Sequence, residues 1–189
     1  MAVEILDHPY PLGAGWRKVM MWAFIVTDGL LFAGFLARYG YARLMASHWP
    51  VQREVFSLGY LAVMTFVLIS SSATMASAVE AARAGLWKDV VRFTLLTIVG
   101  GLMFLGMQAF EWSHVISEGA RLTSNPWGDA AFGAYFFLLT GFHGSHVLTG
   151  LIVLVSTAVR SASGRSTAEG IEMAGLYWHF VDLVWVFIF

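Results

Sequence analysis

Five stretches of this chain are apolar for about the length a helix needs to cross a hydrocarbon layer: 18–41, 57–79, 92–114, 130–158 and 171–189. A bilayer core takes about 20 helical residues at a rise of about 1.5 Å each. Within it every backbone amide must be bonded inside the structure, which leaves helices or a closed barrel. Unbroken apolar runs of this length, without two-residue alternation, read as helices. Pro9, Pro11, Pro50 and Pro126 all fall outside the five stretches, so no helix is interrupted. The connections, such as "EAARAGLWKDVVR" and "RSASGRSTAEG", leave no room for a soluble domain, and there is no internal repeat. The expected fold is all-α, with residues 1–189 forming one integral membrane bundle of five transmembrane helices.

Composition closes off the alternatives. Charged residues make up 12% of the chain, about half the share of a soluble domain. A net charge of −1 offers no basic surface for nucleic acid. Without cysteine there is no disulfide, thiolate metal site or cysteine nucleophile. The first residues, "MAVEILDHPYPLGAG", carry Glu4 and Asp7 where a signal peptide has a basic patch. They are expected to be a polar lead-in, with the first span as its own insertion signal.

Cations near the span ends set the expected orientation. Arg17, Lys18, Arg83, Lys88, Arg92, Arg160 and Arg165 fall on one side, against Arg38, Arg43, Arg53 and Arg121 on the other. The N-terminus is therefore expected to be cytoplasmic and the C-terminus external. Trp16, Trp49, Trp87 and Trp127 fall near span ends as interfacial anchors. Small residues mark close helix approach in lipid. Three ridges qualify: Gly29, Ala33 and Ala37; Ser70, Thr74 and Ala78; and Gly141, Ser145 and Thr149.

The chemistry must come from polar residues inside the spans, each costing about 2.5–3.5 kcal/mol if it faced lipid alone. These are Asp28, Gln108, Glu111, His143, His146, His179 and Asp182. On the last span Glu172, Gly175, His179, Asp182 and Val186 share a stripe, for which His143 and His146 are the expected partners. Four readings stay open from the residues alone. The histidines would serve as haem ligands, although His143 and His146 at i, i+3 point to one side. Glu111 and His114 have the Glu-x-x-His spacing of di-iron bundles, which need two such motifs. The polar groups would form a proton path of a stand-alone transporter, although no repeat or broken helix accompanies them. Or they satisfy one another and fix the helix arrangement.

Four segments carry a resemblance to a known family: "YFFLLTGFHGSHVLTGLIVL" (135–154), "YWHFVDLVWVFIF" (177–189), "FLGMQAFEW" (104–112) and "TDGLLFAGFLARY" (27–39). They resemble, in order and spacing, the signatures of subunit III of haem–copper respiratory oxidases. Long members have seven helices, and this chain is similar to the last five, as in short bacterial forms. The resemblance implies a non-catalytic subunit of a proton-pumping terminal oxidase in the bacterial inner membrane. It would bind no haem, copper or other metal itself and would pack on subunit I, with subunit II nearby. It would hold phospholipid and sustain proton uptake. Asp28 is the residue expected to influence function, and Arg160 matches a family arginine expected to meet a lipid headgroup. Aspartate at position 28 looks more like quinol oxidases and subunits linked to nitric oxide reductases, whereas "GFHGSHV" looks more like the cytochrome c branch. The electron donor stays open between them. The resemblance also implies a last helix that runs on past Phe189.

Overall fold

The computed structural model describes residues 15–189, so the expected lead-in with Glu4, Asp7, Pro9 and Pro11 lies outside the described residues. The helices are α1 (Trp16–Met45), α2 (Gln52–Val55), α3 (Leu58–Arg83), α4 (Trp87–Ser117), α5 (Ala131–Ala162) and α6 (Ala168–Ile188). All but α2 are long and apolar enough to cross a membrane. These spans outrun most of the limits expected from hydropathy; α4 begins at Trp87 rather than at residue 92. Hydropathy registers only the hydrocarbon-embedded part. The backbone goes on bonding to itself into the interface until a residue stops it.

Glycine supplies the stop. Gly85 follows α3 with φ +73°, a left-handed conformation that costs other residues about 1–2 kcal/mol. It lets Leu86 N–H reach the Ala81 carbonyl at 2.9 Å and Gly85 N–H reach that of Ala82 at 3.2 Å. This paired closure satisfies carbonyls that a helix end otherwise leaves orphaned. The same bond pattern ends α4, with Ala120 N to Val115 O at 3.1 Å, and α5, with Arg165 N to Arg160 O at 2.9 Å. Gly85→Ala is expected to lower stability by about 1 kcal/mol, read as a lower thermal midpoint of the detergent-solubilised protein. An unchanged midpoint would mean that the turn does not need the left-handed residue.

At the opposite end the connections 46–57 and 118–130 hold each other. Asp129 N–H donates to the His48 carbonyl at 3.1 Å. Asp129 Oδ1 accepts from Ala131 N at 2.9 Å, a turn that satisfies the first amide of α5. Trp49 packs edge-on against Tyr39 and Phe132, with ring centroids 5.6 and 5.8 Å away. The expected interfacial tryptophan thus also packs between the end of α1 and the start of α5.

Helices α3 to α6 share the core, and α6 is the most enclosed. Trp178 of α6 is 1% exposed. A Cβ placed on Gly101 of α4 would stand 2.5 Å from Trp178 Cη2, and one on Gly150 of α5 3.0 Å from its Cε3. The indole therefore fills a slot that two glycines leave open, and its Nε1 donates to Ser71 Oγ of α3 at 3.1 Å. Lower on the same face, Trp185 Nε1 donates to Thr65 Oγ1 at 3.1 Å. Trp112 Nε1 joins α4 to Thr140 Oγ1 of α5 at 3.0 Å, and Thr74 joins α3 to Thr97 of α4 at 2.8 Å. Each interhelical bond of this kind contributes about 0.6 kcal/mol in lipid.

Two of the small-residue ridges do not work as expected. Ala33 and Ala37 are exposed, as are Ser145 and Thr149, and only Gly29 and Gly141 meet a neighbour, Phe180 and Trp112 respectively. On α3, Thr74 and Ala78 are covered, while Ser70 is exposed. Close approach here is a large ring seated on a bare backbone, so the decisive small residues are single glycines opposite Trp178. Helix α1 stands at the margin, packing mainly on α6 and α5, and Phe32 is its one fully buried residue among those described.

Candidate functional site

Asp28, on α1, meets His146, on α5, with Oδ2 3.3 Å from Nε2. Their side chains are 11% and 15% exposed. The other ring nitrogen, Nδ1, lies 2.8 Å from the Phe142 carbonyl one turn earlier. A carbonyl only accepts, so Nδ1 carries a hydrogen. A neutral ring would then aim its Nε2 lone pair at a carboxylate oxygen, which is repulsive. No hydrogen bond of good geometry reaches that Asp28 oxygen within the described chain, so the two meet as a close ionisable pair. Facing each other between α1 and α5 keeps both groups away from lipid.

The walls of this site are aromatic. Phe142 and Phe32 pack edge-on against the His146 ring, with centroids 4.6 and 5.3 Å away. Tyr177 of α6 donates from its hydroxyl to the His146 carbonyl at 3.2 Å. That bond ties the site to α6 and fixes the stretch of α5 that presents the imidazole. Three helices thus converge on this pair.

A second constellation lies between α3 and α6. His179 Nδ1 and Ser72 Oγ are 2.5 Å apart, and the Asp182 carboxyl neighbours the same hydroxyl. The hydroxyl is the middle member, whereas a nucleophilic triad places imidazole between hydroxyl and carboxylate. The Ser72–His179 hydrogen bond joins α3 to α6, while Asp182 Oδ1 has no hydrogen-bond partner within the described chain. Gln108, Glu111 and His143 are the remaining expected polar residues, 6%, 4% and 1% exposed. Both Gln108 amide atoms, one Glu111 oxygen and both His143 nitrogens lack a hydrogen-bond partner within the described chain. His143 packs instead against Phe104 and Trp185, with ring centroids 5.8 and 5.2 Å away.

The expected partnership of His143 and His146 with the α6 stripe is therefore not what forms. His146 turns to α1, His143 turns to aromatic rings, and the stripe turns mainly to α3. Gly175 approaches Val79 there, and Val186 is exposed. Glu172 leaves the stripe for the helix ends, 2.7 Å from Lys18 Nζ and 3.6 Å from Arg83 Nη2. The reason is that α6 touches α1, α3 and α5, so its own periodicity does not decide which helix receives which face. Glu111 and His114 do not converge either: Glu111 is buried, whereas His114 is exposed and pairs with Glu118 at 3.4 Å. Arg160 lies exposed in the last turn of α5, with Nη2 3.5 Å from the Arg165 carbonyl. Ser72 and Tyr177 were missed in the sequence. The signal for Ser72 is the serine run at 70–72, an unusual density of hydroxyls for a span.

The family model for cytochrome c oxidase subunit III matches residues 7–189. A probable cytochrome c oxidase subunit 3 of Nocardia farcinica is 32% identical over 191 residues, covering 99% of this chain and 89% of that protein. A quinol oxidase subunit 3 of Bacillus subtilis is 33% identical over 172 residues, covering 89% and 81%. A cytochrome c oxidase subunit 3 of Alkalihalophilus pseudofirmus is 34% identical over 171 residues, also covering 89% and 81%.

Proposed function

Because this chain belongs to the cytochrome c oxidase subunit III family, we propose that it sustains proton uptake by the catalytic subunit of a proton-pumping oxidase. It is a subunit III of a haem–copper oxidase, of the cytochrome c or the quinol kind, and a multi-pass protein of a bacterial inner membrane. In this reading haem and copper reside in subunits I and II, and the bundle stabilises subunit I by packing against it. The N-terminus is cytoplasmic, supported by the larger share of cations at that end. Arg160, at the same end, holds a phospholipid headgroup while its stem lies in hydrocarbon.

The observation that carries the reading is the Asp28–His146 pair. It sets a carboxyl against an imidazole on α1, the helix with the least cover from the rest of the bundle. A carboxyl and an imidazole exchange protons readily, and a marginal helix brings them near a neighbouring subunit. Asp28→Asn keeps the size but removes the titratable carboxyl.

In the assembled complex this variant is expected to keep haem content, subunit ratio and initial oxygen uptake. Its activity should decay severalfold faster during sustained turnover. Identical decay in variant and wild type would remove Asp28 from the mechanism. The same assay with reduced cytochrome c and with quinol as alternatives identifies the donor.

A further inference from the structure

Three histidines lie deep in the spans, and two of them are met inside the bundle. His143 is enclosed among aromatic rings, and His146 faces Asp28 at 3.3 Å. His179 is different. It lies eleven residues after Ala168 and nine before Ile188, near the middle of the hydrocarbon layer. It is half-buried, on the same stripe of α6 as Leu183 and Val186, which are 55% and 50% exposed. Its Nδ1 is held by Ser72 Oγ of α3 at 2.5 Å. Its Nε2 has no partner among the described residues and is not enclosed by them.

We infer that His179 Nε2 is a docking contact for a transmembrane helix of another oxidase subunit, one that carries a hydroxyl or carboxamide side chain at the same depth. The contact presupposes the oxidase-subunit reading above, to which it adds a face, an atom and a partner chemistry.

An imidazole nitrogen facing acyl chains gives up its hydrogen bond to water and gains none in return, which is unfavourable. Lipid tails carry no donor or acceptor, and the headgroups are about 15 Å from the midplane. A facing helix supplies the missing group directly.

The ring also states what that group must be. Ser72 either donates to Nδ1 or accepts from it. A neutral ring then presents Nε2 as an N–H in the first case and as a lone pair in the second. Hydroxyl and carboxamide groups both donate and accept, so Ser, Thr, Asn or Gln meets either form without burying a charge.

The surface beside His179 admits a close neighbour. Ser72 is half-buried, and Ala73 and Ala76, within one turn of it, are exposed. One edge of the α3–α6 seam is therefore lined by small residues, which let a second helix approach closely enough for a short side chain to reach across. The outer face of α4 is bulky by contrast, with Leu95, Leu96, Val99, Leu102 and Met103 all exposed.

The test purifies the whole complex through a tag on this chain and reads haem recovered per chain through a detergent series. His179→Asn places an amide where Nδ1 stood and keeps the bond to Ser72, whereas His179→Gln places one where Nε2 stood. His179→Asn is expected to weaken association about threefold, the strength of one interhelical hydrogen bond in lipid, while His179→Gln stays close to wild type. Undiminished association of His179→Asn would overturn the proposal, because the ring would then serve α3 alone.

A second measurement leaves His179 intact and so does not depend on either variant folding. A photoreactive benzophenone amino acid replaces Ile69, which is exposed one turn before Ser72. A cross-link to another subunit of the oxidase supports the docking face. Cross-links to lipid alone, or to a second copy of this chain, reject it. Haem recovered in the same preparation reads the oxidase-subunit assignment separately, so a haem-bearing complex with lipid-only cross-links rejects the face and not the membership.

Discussion

Gly101→Leu is expected to remove this subunit from the purified oxidase. A Cβ at position 101 already falls 2.5 Å from Trp178 Cη2 and 2.8 Å from Leu151 Cδ2. The rest of a leucine side chain has no free direction there. Trp178 cannot yield, because its other face rests on Gly150 and its Nε1 is bonded to Ser71. Overpacking of this kind costs about 1–3 kcal/mol or more, and a bulky residue in a slot with two rigid walls belongs at the upper end. Gly101→Ala should cost less, since gained helix propensity of about 1 kcal/mol offsets part of the clash. Gly106→Ala on the same helix is the control: nothing lies within 4 Å of its Cβ, so it should be neutral or slightly stabilising. Subunit content after purification and the thermal midpoint read all three. A Gly101→Leu complex with full occupancy and a wild-type midpoint would mean that the slot is wider than described.

His146→Leu should have a comparable effect by an electrostatic route. It leaves Asp28 without its partner in a low-dielectric setting, and breaking one side of a buried pair costs about 3–5 kcal/mol. The double variant Asp28→Leu/His146→Leu removes both polar groups and should recover much of the lost stability, because well-packed apolar residues often replace a buried pair at little cost. Subunit retention through a detergent series measures both variants. A double variant no better than the single one would mean that the cost of His146→Leu lies in lost packing against Phe32 and Phe142.

Span count and order were legible because each helix needs about 20 apolar residues whatever it packs on. The helix ends were legible in part. "AGL" at 84–86 and "SGR" at 163–165 place glycine directly after the last helical turn, which is a known stop signal, while hydropathy alone stopped short of it. The Trp178 slot was not legible. Gly101 is one of 19 glycines, and its partners, Leu151 and Trp178, come from two helices far from it in sequence. The Asp28–His146 pair was hidden for a similar reason. Both residues were singled out, but which of several polar groups pair is settled by helix arrangement, and α6 has neighbours on three sides.

The marginal position of α1 bears on how the protein is made. Helix α1 packs mainly on α5 and α6, both of which are synthesised after it. His146 follows Asp28 by 118 residues, roughly 6–24 s of translation at about 5–20 residues per second. Through that interval α1 waits in the bilayer without its docking surface, and Asp28 waits without its base. Closing α5 over α1 therefore comes late, and the Asp28–His146 contact is among the last that the bundle makes.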